Sequence, residues 1–132
     1  MFKKTLITAT FMSLFATAGF AAKAQTEAYY ASIWCQANGG IEEVETRMGT
    51  RVDCLLEDYA VEVDFDHKWA EGLGQALHYG VEFNRTPAVL LILKNHDGWS
   101  RQKYLDRLYA TIRGANLNVK VFIIESIDYP LR

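Results

Sequence analysis

The sequence is poor in the residues that would place it in several common classes. Only two of its 132 residues are proline, and there is no repeat or low-complexity tract, so a collagen-like or disordered chain is excluded. Only two residues are cysteine, Cys35 and Cys54, and neither belongs to a C-x-x-C pair. His67, His78 and His96 do not have the spacing of a metal-binding pair, which leaves no zinc site of the usual kind. No G-x-S-x-G is present to carry a serine nucleophile. Positive charge is not in excess either: the formal net charge is −2, so the chain as a whole exerts no pull on polyanions. What remains is a globular composition, 50% hydrophobic and 13% aromatic, of a length suited to one domain.

The first 24 residues read differently from the rest. Lys3 and Lys4 precede an uncharged, mostly apolar run from Thr5 to Phe20, and Ala22-Lys23-Ala24 offers small residues where a signal peptidase reads. This pattern predicts a secretory signal peptide over residues 1–24 and an exported, periplasmic or secreted domain over 25–132. Removing the leader takes three lysines and no acids, so the charge falls from −2 to −5. No stable membrane association is expected after cleavage, because the apolar run is short for a spanning helix. In an oxidising compartment Cys35 and Cys54 are able to pair, and two buried free thiols are the alternative.

Periodicity then orders the chain. Glu27–Asn38 is predicted as a helix burying Tyr30, Ile33, Trp34 and Ala37, stopped by Gly39-Gly40. Ile41–Thr46 and Arg51–Leu56 read as strands around the turn Arg47–Thr50. Ala60–Asp66 alternates, with Val61, Val63 and Phe65 on one face and Glu62, Asp64 and Asp66 on the other. His67–Phe83 is the next helix, burying Trp69, Leu73, Ala76 and Leu77. Ala88–Lys94 is apolar enough for a strand buried on both faces. After turn residues Asn95–Gly98, Ser100 is predicted to cap a helix over Arg101–Gly114 with Tyr104, Leu105, Leu108, Tyr109 and Ile112 inward. A last strand covers VKVFIIE, and Asp128–Arg132 reads as a tail. The order α-β-β-β-α-β-α-β implies an α/β fold with a mixed central sheet flanked by helices.

Chemistry gathers between Val52 and Tyr79. Asp53 lies on one strand, and Glu62, Asp64 and Asp66 lie on the next. Lys68, Gly72, Gln75 and Tyr79 follow at spacings of four, three and four, one stripe of the helix that closes over them. Gly72 and Gly74 are costly inside a helix, which suggests close approach of another group. Acids on adjacent strands under a polar stripe suggest a site for a divalent metal, although three carboxylates on a solvated strand face would look the same.

These segments resemble the PD-(D/E)XK nuclease superfamily, whose core order is α-β-β-β-α-β. The likeness rests on Gly49-Thr50-Arg51-Val52-Asp53, on Val61-Glu62-Val63-Asp64, and on Gln75-Ala76-Leu77-His78-Tyr79, which matches the Q-x-x-x-Y signature of RecB-type members. The resemblance implies a nuclease hydrolysing phosphodiester bonds in DNA or RNA, with DNA the favoured partner. It implies that Asp53 and Glu62 hold Mg²⁺ or Mn²⁺, with Glu43 or Glu45 completing the shell, and that Gln75 and Tyr79 position the substrate. One departure stands out: Asp64 occupies the place of the family's lysine. Either Lys68 takes over that role, or Asp64 is a further metal ligand, or the domain has lost cleavage and acts as a binding module in the cell envelope. Arg47, Arg51, Lys68, Arg85, Lys94, Arg101 and Lys103 are the cations available to a bound strand.

Overall fold

A computed structural model describes residues 24–94 and 98–127. The expected leader up to residue 23, positions 95–97 of the expected turn, and the expected tail lie outside the described residues. The elements are α1 (Glu27–Ala37), β1 (Ile41–Glu45), β2 (Arg51–Leu55), β3 (Tyr59–Phe65), a 3₁₀ turn (Asp66–Lys68), α2 (Trp69–Phe83), β4 (Thr86–Leu93), α3 (Gly98–Gly114) and β5 (Lys120–Glu125). The five strands form one sheet in the order β1-β2-β3-β4-β5. β1, β2 and β3 pair antiparallel, whereas β3-β4 and β4-β5 pair parallel. The parallel pairs follow from the helical crossovers α2 and α3, since a parallel neighbour needs a long connection. No helix among the described residues is long and apolar enough to cross a membrane.

The sheet divides the core in two. On the α1 side Tyr30, Ala31, Cys35, Cys54, Val61, Val63, Ala88, Leu90 and Ile92 pack together. On the other side Leu73 and Ala76 of α2 and Leu108 of α3 pack on Val89, Leu91 and Leu93. β4 therefore contributes to both cores, as its continuous apolar run requires. Val52, Ala60 and Tyr79 form a smaller cluster on the α2 side.

Three details differ from the expectations drawn from periodicity. The buried stripe of α1 is Tyr30, Ala31 and Cys35, while Ile33 is 53% exposed and Ala37 is also exposed. The reason is a covalent anchor: Cys35 is bonded to Cys54 of β2 with their Cα atoms 5.6 Å apart, and this fixes the rotation of the helix. Gly40 lies directly over the bridge, where a Cβ would strike both sulfurs. α3 begins at Gly98 instead of at a Ser100 cap, and Tyr109 points outward while Leu105, Leu108 and Ile112 face the core. The third strand ends at Phe65, so Asp66 opens the 3₁₀ turn, where its Oδ1 accepts the His67 N–H at 2.9 Å.

Both bridged sulfurs are fully buried in the α1-side core, so the bond holds helix to sheet as well as closing a loop. Replacing Cys35 and Cys54 together by alanine should lower stability by about 3 kcal/mol. Urea unfolding of the double variant against oxidised wild type measures this, and equal midpoints would show that the bridge contributes nothing to the fold.

Candidate functional site

β3 alternates as its sequence requires, and its two polar positions turn out to be interior. Val61 and Val63 face α1, while Glu62 and Asp64 lie under α2 and are only 6% and 3% exposed. The carboxylates are thus not a solvated strand face. α2 can lie this low because of Gly72: a Cβ there would sit 2.7 Å from Asp64 Oδ2. Gly74 has no such neighbour, so close packing explains one of the two helix glycines and not the other.

Asp53 joins these acids through a break in β2. Cys54 belongs to the α1-side core, whereas both Val52 and Leu55 pack with Tyr79 on the α2 side. Regular alternation would put Val52 and Cys54 on one face, so the side-chain alternation of β2 breaks at Asp53 while its pairing with β1 stays one to one. The β2-β3 register accordingly covers only Cys54↔Val61 and Leu55↔Ala60. Beyond it, Asp53 Oδ2 accepts the Val63 N–H at 2.8 Å, a side chain standing in for the backbone partner. Opposite Asp53 on β1, Glu43 takes a left-handed φ of 54°, between the pairs Glu42↔Cys54 and Val44↔Val52. A non-glycine residue in that region stores strain, and such strain tends to gather at functional sites.

The electrostatics follow from burial and crowding. Asp53 and Glu62 share a side-chain hydrogen bond. Burial, then the charges of Asp53 and Asp64, push the Glu62 carboxyl up to about 10, so at neutral pH Glu62 carries the proton and donates it toward Asp53. Burial also raises Asp53, against the lowering effect of the Val63 N–H, and Glu43 and Glu27 add repulsion. Asp64 is pushed up to about 7 by burial and by Glu27, with Lys68 opposing. Glu62 Oε2 and Asp64 Oδ2 are buried with no hydrogen-bond partner among the described residues. Tyr79 is buried close to the pair: burial and the charges of Glu62, Asp53 and Glu43 raise its hydroxyl to about 12, so it keeps its proton.

Other expected residues are placed less centrally. The Lys68 ammonium lies 2.8 Å from Glu27 Oε1 and 4.0 Å from Asp64 Oδ1, and its hydrogen bond to Glu27 raises its pKa further. Lys68 thus reaches the edge of the acid cluster and is held there by Glu27. Gln75 Nε2 donates to Glu71 Oε1 at 3.2 Å, one turn back along α2. Of the two β1 candidates, Glu43 contributes to the field at Asp53 and Tyr79. Glu27 and Glu71 also belong to this constellation and were missed in the sequence. Glu27 sits in the first turn of α1, far away in the chain, and nothing in its local pattern separates it from an ordinary N-terminal helix acid.

The donor set suits a hard cation: buried Glu62 and Asp64, each with an oxygen that has no hydrogen-bond partner among the described residues, and half-buried Asp53, in mutual repulsion. Among the described residues, however, no group of three His, Cys, Asp or Glu side chains converges on one point as a metal shell. A third ligand would require a side chain to turn. No family model matches the chain, and comparison with curated proteins and with solved structures gives no match. The fold and site therefore define a class by geometry alone: an α/β protein with a proton-sharing carboxylate pair, one member buried and one half-buried, beneath a helix.

A pH dependence follows. Glu62 and Asp64 hold protons in the folded state up to about 10 and about 7, from ordinary values of 4.5 and 3.8. Folding thus takes up protons, and without metal its stability should fall as pH rises from about 4, through 7 for Asp64 and onward for Glu62. Glu62→Gln cannot ionise and should flatten this slope, becoming more stable than wild type at pH 9 by about 1 kcal/mol or more. Urea unfolding in chelator between pH 5 and 9 provides the comparison, and parallel slopes would refute it.

Proposed function

We propose that the chain is an exported, divalent-metal-dependent phosphodiesterase of the PD-(D/E)XK type that cleaves DNA or RNA, with DNA the favoured substrate. The observation that carries this reading is the Asp53–Glu62 pair. Two acids nine residues apart in sequence, Glu62 buried and Asp53 half-buried, share a proton beside carboxylate oxygens of Glu62 and Asp64 that have no hydrogen-bond partner among the described residues. Such an arrangement is costly for a protein that does nothing with it. The order α-β-β-β-α-β, followed by a further α-β, and the placing of Tyr79 over the pair support the restriction-endonuclease-like form of the fold.

In this reading Asp53 and Glu62 hold Mg²⁺ or Mn²⁺, with Asp64 or Glu43 as the further oxygen donor. The metal would supply Lewis acidity at the scissile phosphate and lower the pKa of a bound water. The chain's own groups do the rest. Tyr79, protonated throughout the physiological range, offers a neutral hydroxyl beside the pair. Lys68 offsets part of the charge of Asp64 and Glu27 at the rim and stands where a phosphate oxygen would approach. Gln75, held by Glu71, presents its amide along the same helix stripe to the sugar-phosphate backbone.

The test uses purified protein lacking residues 1–24, with plasmid and single-stranded DNA and with Mg²⁺ or Mn²⁺. Wild type should cleave, and Asp53→Ala and Glu62→Ala should each reduce the rate by on the order of a hundredfold or more. Cleavage that survives both substitutions would defeat the reading. If wild type cleaves nothing, the enzyme reading fails and the silent binding module stands, with loss of Mn²⁺ affinity by calorimetry as its further mark.

A further inference from the structure

Helix α3 carries four cations, Arg101, Lys103, Arg107 and Arg113, against one acid, Asp106, in a chain whose overall charge is negative. Near its start Trp99 is 72% exposed, a large apolar area to leave in water. Lys103, one turn further on, stands over the indole at 4.9 Å from its centroid and also lies 5.0 Å from the Tyr104 ring. Trp99, Gln102, Lys103, Asp106 and Arg107 line a shallow open pocket of about 330 Å³. Asp106 accepts the Gln102 amide at 2.7 Å, and Arg101 is turned the other way, onto Glu125 of β5. An accessible aromatic ring is thus flanked by Lys103 and Arg107 on one helix face.

This face lies on the same side of the sheet as the acid cluster, because α3 packs against α2 and against the 3₁₀ turn that carries Lys68. We propose that it is a docking platform for single-stranded nucleic acid. One unstacked base lies on the Trp99 indole, and the adjoining phosphates meet Lys103 and Arg107. Every base has a π face, so such a platform takes a strand without regard to sequence, while the cations follow its backbone. An anionic membrane surface would need more apolar residues beside the ring. The remaining apolar residues Leu105, Leu108 and Ile112 are instead committed to the core. The choice of ligand rests on the nucleic-acid reading of the acid site; the platform's geometry does not.

The experiment is a fluorescence-anisotropy titration of a labelled oligodeoxythymidylate in chelator, where no cleavage interferes. Trp99→Ala should weaken binding at least about fivefold, and Trp99→Phe should restore part of it. Lys103→Gln with Arg107→Gln should weaken binding and make the salt dependence shallower by about 0.7 per lost phosphate contact. All variants change exposed or half-exposed positions, and an unchanged thermal melt confirms that they fold. If Trp99→Ala binds the oligonucleotide as tightly as wild type, the platform is refuted. It is equally refuted if Trp99-dependent binding is seen only with phosphatidylglycerol vesicles. The two readings fail separately. Full oligonucleotide affinity in Trp99→Ala, beside cleavage that requires Asp53 and Glu62, removes the platform alone. Trp99-dependent binding without any cleavage removes the enzyme alone.

Discussion

Four carboxyl groups, from Glu27, Asp53, Glu62 and Asp64, lie close enough to interact through their charges, and the Lys68 ammonium stands at the rim between Glu27 and Asp64. Like charges in a poorly solvated interior repel, and the relief open to the metal-free protein is to keep protons that water would otherwise take. Much of the surrounding architecture accommodates this. Gly72 lets α2 descend onto Asp64, the break in β2 turns Asp53 to the same face, and Glu43 accepts a left-handed backbone opposite it. The Val63 N–H given to Asp53 offsets part of the upward shift that burial imposes on that carboxyl.

The opposite face of the sheet supplies the rigidity that such a site needs. There the packing is apolar and aromatic: Trp34 and Tyr59 both lie against Phe122, and Tyr30 lies edge-on to Phe65. The Tyr30 hydroxyl meets Ser126 Oγ at 3.0 Å and accepts the Ile127 N–H at 3.0 Å, joining the first helix to the end of the last strand. The disulfide ties the same helix to β2, one residue from Asp53. Strain at Glu43 and repulsion around Glu62 can persist because the other layer is over-determined. The first helix contributes to both faces of this arrangement, since Glu27 in its first turn holds Lys68.

Much of this was legible in the residues. The period-two run Val61–Phe65 set two faces, and the run Ala88–Leu93 marked a strand buried on both sides. Asp53, Glu62, Asp64 and Tyr79 were identifiable because strand alternation and helix spacing are local, and the structure brings all four together. The stripe of α1 was misread because its periodicity is ambiguous: Ile33 and Ala37 fit an inward face as well as Ala31 and Cys35 do. What decided between them was a bond to Cys54, and no helical pattern encodes that.

The sequence by itself determined the order of elements, the identity of the acids and the face of β3 that Glu62 and Asp64 share. These depend on backbone periods and turn chemistry within a few residues. Tertiary structure alone decided that Glu62 and Asp64 are interior, that Glu43 is the β1 acid whose charge reaches Asp53, that Glu27 is part of the cluster, and that Lys68 answers to Glu27 and Asp64. Each of those depends on how closely α1 and α2 approach the sheet. Burial and Coulomb interaction vary with distances between groups remote in the chain, and such distances exist only once the layers have packed.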